Sequence, residues 1–149
     1  IHFRQRNRTF YTDLERLHQV LVSPGLRVLE VGCGTGDLLA HLKPSHGVGI
    51  ELDPEVAAVA RERHPQLRIL ATNAETMTPQ SIGETQPFDV ILLPNTLNTL
   101  PDVQGVLVRL EAFCHPRTRL VVSFHNWLWQ PTLKAAENLG QRQPQRPES

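Results

Sequence analysis

The run Val28-Leu29-Glu30-Val31-Gly32-Cys33-Gly34-Thr35-Gly36-Asp37 sets three glycines at alternate positions between two acids, just after an apolar stretch. Glycines let a ligand come against the backbone, and a helix that follows them offers N–H groups with no partner of their own. A pyrophosphate-binding loop would read Gly-x-Gly-x-x-Gly. Counted from Gly32, its last position falls on Asp37. A carboxylate at a helix start repels a phosphate there. The pattern present, acid-x-Gly-x-Gly-x-Gly with Glu30 at its head, favours a cationic ligand without phosphates.

A second acid fits the same ligand. Glu51 ends the apolar stretch Gly47-Val48-Gly49-Ile50-Glu51, 21 positions after Glu30, and Leu52 follows it. An acid about 20 residues beyond a glycine loop can accept both hydroxyls of a ribose. Asp53, directly before Pro54, has the simpler role of a helix N-cap. Farther on, Ser123-Phe124-His125-Asn126-Trp127-Leu128-Trp129 joins a titratable imidazole to two large aromatics. His125 there is either an acceptor-side base or a solvated loop histidine.

The elements that would hold these residues alternate between strand and helix. Strands are expected over Arg27–Val31, Gly47–Leu52, Leu67–Ala71, Phe88–Leu93 and Arg119–Phe124. Helices are expected over Thr9–Val22, Gly36–Lys43, from Asp53 to His64, from Asp102 to a stop at His115-Pro116, and over Thr132–Leu139. The strands are unbroken apolar runs, as in a sheet covered on both faces. The fold class is therefore α/β, a doubly wound parallel sheet.

The glycine run resembles the first motif of the class I, Rossmann-like S-adenosylmethionine-dependent methyltransferases, and the similarity extends over about Thr9 to Leu139. The resemblance implies S-adenosyl-L-methionine as cofactor. It places Gly32, Cys33, Gly34 and Gly36 around the methionine part, with Glu30 orienting the amino-acid end. It also implies Glu51 and Leu52 at the ribose, Asn73 and Ala74 at the adenine, and Pro94 and Asn95 after the fourth strand. Asn73 stands where the family often carries an acid, and a turn-forming asparagine explains it equally well. Thr99 stands where many relatives carry a histidine, so no base is carried over from them. The family sheet has seven strands against five counted here, which gives the expectation of a domain over 1–139 cut after its fifth strand, with 140–149 a tail.

Composition bounds the partners. The chain has 149 residues, 40% hydrophobic and 20% charged, enough for one domain with a core. Fifteen basic residues balance fifteen acidic ones, which argues against a nucleic-acid partner. The longest apolar run, Val56 to Ala60, is too short to span a membrane. Two cysteines and the lack of a basic-then-apolar leader point to the cytoplasm, and the histidines form no metal pattern. The chain opens on Ile1 and carries one methionine, Met77, so it reads as a piece of a longer protein. Asn7-Arg8-Thr9-Phe10-Tyr11 and His115-Pro116-Arg117-Thr118-Arg119 are similar to bacterial methyltransferase modules fused to glycosyltransferase domains. The expected partner is a small-molecule acceptor. Two other functions stay open: a pyridine-nucleotide oxidoreductase, against which Asp37 argues, and a non-catalytic interaction module.

Overall fold

Val28, Val90 and Leu92 pack on one side of the strands, whereas Leu29, Ile91 and Leu93 pack on the other. That alternation follows from the two-residue period of a strand and needs apolar cover on both faces. The computed structural model, which describes residues 16–97 and 100–123, provides it. Its elements in chain order are β1 (Arg27–Val31), α1 (Asp37–His41), β2 (His46–Glu51), α2 (Pro54–Arg63), β3 (Arg68–Ala71), β4 (Phe88–Pro94), α3 (Val103–Leu110) and β5 (Cys114–Ser123). A 3-10 turn, Glu111–Phe113, joins α3 to β5, and residues 16–21 are helical.

All four strand pairings are parallel, in the order β3-β2-β1-β4-β5. The order reverses between β1 and β4, which opens a crevice at the carboxyl ends of the strands. Leu38 and Leu39 of α1 with Ala57 and Ala60 of α2 cover one face. Val106 and Leu110 of α3, with Phe113, Met77 and Ile82, cover the other. Asp53 caps α2 as expected, its Oδ1 accepting from the N–H of Glu55 at 2.8 Å, and Asp102 caps α3 through the N–H of Gly105 at 2.8 Å.

At the opposite end of the sheet, the loop before β4 carries Glu84, whose side chain is only 5% exposed. Its carboxylate takes Arg27 at 2.9 Å, His46 at 3.0 Å and Arg68 at 2.6 Å, one partner from the first residue of each of β1, β2 and β3. Arg27 also lies 5.4 Å over the ring of Phe88, the first residue of β4.

The start of β5 departs from the sequence expectation. His115-Pro116 does not end the helical stretch there; the strand begins at Cys114, paired with Phe88, and the register shifts before Val90 meets Arg119. An irregularity on an outer strand tolerates a proline. Thr118 holds it, its Oγ1 accepting from His115 N–H at 2.8 Å and donating to the Phe88 carbonyl at 2.6 Å. α1 is also shorter than the expected Gly36–Lys43. The early part of the Thr9–Val22 helix, Thr99, His125, Trp127, Trp129, the Thr132–Leu139 helix and the 140–149 tail lie outside the described residues.

Candidate ligand cleft at the carboxyl ends of the strands

The turn from β1 into α1 runs through Gly32, Gly34 and Gly36 at φ values of 73°, 53° and 74°, a region that disfavours side chains. The N–H groups of Gly32 and Cys33 both donate to the Ile50 carbonyl, at 2.8 and 3.0 Å, so the loop is tied down on β2. Cys33 turns inward, its Sγ on the spot where a side chain at Gly49 would begin. Burial, helped by the nearby Glu30 and Glu51 carboxylates, pushes its thiol pKa well up. It is a protonated packing group rather than a nucleophile.

A cleft of about 600 Å³ opens beside this loop. Gly32, Glu51 and Leu52 line one side, and Asn73, Ala74, Pro94 and Asn95 another. Glu30, Cys33, Gly34 and Gly36 are outside that lining. Glu30 is 2% exposed, and the alternation of β1 sets it on the face that α1 and α2 cover.

Glu51 is the best-fixed acid in the cleft. Its Oε2 accepts from Gly34 N–H at 2.8 Å and its Oε1 from Asp53 N–H at 3.0 Å. One carboxylate therefore joins the glycine loop to the start of α2. The turn role of Asn73 is also formed: its Oδ1 accepts from Glu75 N–H at 2.8 Å. Asn95 holds a left-handed backbone, φ 55°, with its N–H on the Ser123 carbonyl at 2.6 Å. Strain of this kind in a non-glycine residue is concentrated at functional sites.

Thr96 and Glu75 were not singled out by sequence, yet both shape the cleft. Thr96 Oγ1 lies 2.8 Å from the Val31 carbonyl and 3.1 Å from that of Pro94, clasping the ends of β1 and β4. Glu75 accepts from the N–H of Asp102 at 3.1 Å, fastening the rim to α3. Neither contact has a short-range signal; Thr96 and Val31 are 65 positions apart. The Thr96 hydroxyl lies 2.5 Å from where a Cβ on Gly32 would stand. Gly32→Ala should therefore lose about 2 kcal/mol, from the backbone and from overpacking. Denaturant melts of Gly32→Ala, Thr96→Ala and the pair would show the double variant losing less than the two single losses together.

Among the described residues, no group of three or more histidine, cysteine, aspartate or glutamate side chains is placed to hold a metal, and no helix is long and apolar enough to cross a membrane.

A parallel α/β sheet with a glycine turn, an acid after the next strand and a crevice at the reversal of strand order defines a Rossmann-like ligand-binding domain. The profile of a methyltransferase-domain family matches residues 29–120, and the chain belongs to that family. It is 32% identical over 107 residues to the ubiquinone biosynthesis O-methyltransferase of Bradyrhizobium diazoefficiens, covering 71% of this chain and 42% of that protein. It is also 32% identical over 122 residues to the trans-aconitate 2-methyltransferase of Variovorax paradoxus, covering 79% and 46%. The chain thus spans less than half the length of these curated relatives. Among solved structures, a TehB-like SAM-dependent methyltransferase from Corynebacterium glutamicum superposes with a TM-score of 0.66 at 21% identity, covering 93% of this chain and 80% of that one. A SAM-bound amino pentose methyltransferase from Micromonospora echinaspora gives 0.60 at 27% identity, covering 79% and 49%. The fold is the Rossmann-like methyltransferase fold.

Proposed function

We propose that the cleft binds S-adenosyl-L-methionine and that the domain carries a methyl group to a small-molecule acceptor. The observation that carries this reading is Glu51, held at the cleft by the N–H groups of Gly34 and Asp53. A carboxylate has about four acceptor positions, so two remain for a pair of vicinal hydroxyls. The loop fits as well: no atom stands within 4 Å of where a side chain on Gly34 would project, which leaves room against the backbone. A dinucleotide fits worse, because the loop departs from the Gly-x-Gly-x-x-Gly spacing, with Asp37 at the position of the last glycine.

When bound, the cofactor would supply an electrophilic methyl on a sulfonium. The chain's own residues bind and orient. Glu51 would hold the ribose, Leu52 and Ala74 would flank the base, and Asn73 would keep the β3 loop in its turn beside it. Gly32 and Gly34 would give backbone access, while Glu30, buried under the loop, would act on the amino-acid end only through the loop or water. Pro94 and Asn95, at the end of β4, would complete the cofactor's side of the cleft. In-line transfer asks chiefly for position and exclusion of water, so no obligatory nucleophile is needed. The relatives' names, a ubiquinone O-methyltransferase and a trans-aconitate methyltransferase, support a small acceptor. Two free thiols, Cys33 and Cys114, suit a reducing, cytoplasmic setting. A fused second enzyme domain in the parent protein completes the reading.

Titration calorimetry with S-adenosylhomocysteine and with NAD, on this chain and on the full-length parent, tests it. Binding of S-adenosylhomocysteine and not of NAD is expected. NAD binding alone would replace the reading by an oxidoreductase, and silence with both in folded full-length protein by a non-catalytic module.

A further inference from the structure

Asp37 begins α1 directly after the last glycine of the loop. Its side chain faces α2. Its Oδ1 lies 2.7 Å from His64 Nε2 and its Oδ2 3.1 Å from Arg63 Nη1, and Thr35 Oγ1 donates to Oδ2 at 2.8 Å. Asp37 and His64 are 20% and 18% exposed at the side chain, against 50% for Arg63, so the aspartate–histidine contact is the shielded one. The His64 ring also closes on the loop itself: a Cβ at Gly36 would stand 3.3 Å from its Cδ2.

α2 is thereby attached to the glycine loop at both ends. Its first turn is reached through Asp53 N–H and the Glu51 carboxylate, which also holds Gly34. Its last turn is reached through Arg63 and the C-cap residue His64, which hold Asp37. The four residues from Gly34 to Asp37 are pinned from two directions, with little freedom to lose when a ligand settles on them. A binding-competent arrangement that is already populated raises apparent affinity by the fraction it restores.

We propose that Asp37 and His64 are positioning residues for the cofactor: a latch, distant from the ligand, that holds the glycine loop in its binding shape. The inference rests on the reading of the cleft given above. Neither residue touches the ligand; both act through Gly34, Thr35 and Gly36.

The test is calorimetric titration with S-adenosylhomocysteine, with a melting curve for each variant. Asp37→Ala and His64→Leu are each expected to weaken binding about fivefold, less than the roughly tenfold or more of a direct hydrogen bond to a charged group, because the latch reaches the ligand only through the loop. His64→Gln, whose amide can still donate to Asp37, should come back to within about twofold of wild type. The double variant Asp37→Ala, His64→Leu should bind no worse than Asp37→Ala alone, because one latch is broken once. A role in stability alone would lower the melting temperature without this pattern of rescue and non-additivity. If Asp37→Ala does not fold, Asp37→Ser, which suits the start of a helix and is too short to reach His64, is read the same way. Variants that bind as well as wild type, or losses that simply add, overturn the latch. A folded wild type that binds no S-adenosylhomocysteine overturns the reading of the cleft, and the latch with it.

Discussion

Glu84→Ala is expected to cost the fold about 3 kcal/mol, because removing one partner of a buried ionic cluster leaves the others uncompensated. The carboxylate gathers Arg27, His46 and Arg68, so its loss releases the starts of three strands together. The guanidinium of Arg68 is 41% exposed and can turn to water, which holds the loss near the lower end of the range for such clusters. Arg27 stays packed over Phe88, where burial of a lone cation is costly. For a chain of this size the melting temperature should drop by roughly 9 °C. Glu84→Gln, which keeps the shape and part of the hydrogen bonding, should lose about half as much. Glu62→Ala, on the exposed side of α2, is the control and should stay within about 0.5 kcal/mol of wild type. Equal melting curves for Glu84→Ala and wild type would show that the cluster adds nothing.

Glu51→Ala should weaken binding of S-adenosylhomocysteine roughly a hundredfold, since two hydrogen bonds to a charged acceptor, at about 1.5 kcal/mol each, go at once. The same change frees the N–H groups of Gly34 and Asp53, loosening the loop and the first turn of α2. Glu51→Gln keeps one acceptor oxygen, so its loss should be nearer tenfold. Glu51→Ala should also melt a few degrees lower, since the two internal hydrogen bonds from Gly34 and Asp53 go with the carboxylate. Both variants keep the apolar core and stay folded for the titration. Affinity unchanged in Glu51→Ala would remove this residue from the site.

What could be read from the sequence was local. Strand and helix order, the cap at Asp53, the start of α3 near Asp102 and the glycine turn each follow from residues within a few positions of one another. Seven of the expected cofactor residues, from Gly32 to Asn95, line a single cleft because all lie at or just beyond the carboxyl end of a strand. Contacts that join distant residues were hidden. Glu84 meets Arg27 across 57 positions, and Asp37 meets His64 across 27. Strand alternation sets Glu30 opposite to Leu29 and Val31, on the face that α1 and α2 cover, where it is buried. At β5 the local signal misled, since Pro116 reads as a terminator and only the irregular pairing with β4 accommodates it.

The Glu84 cluster sits where the strands begin, and the cleft sits where they end. Substitutions at such separated places combine independently, so thermal robustness and ligand choice can be tuned one without the other. A protein engineer could reinforce the base first, through Glu84 and its cations, and then vary the residues that line the cleft.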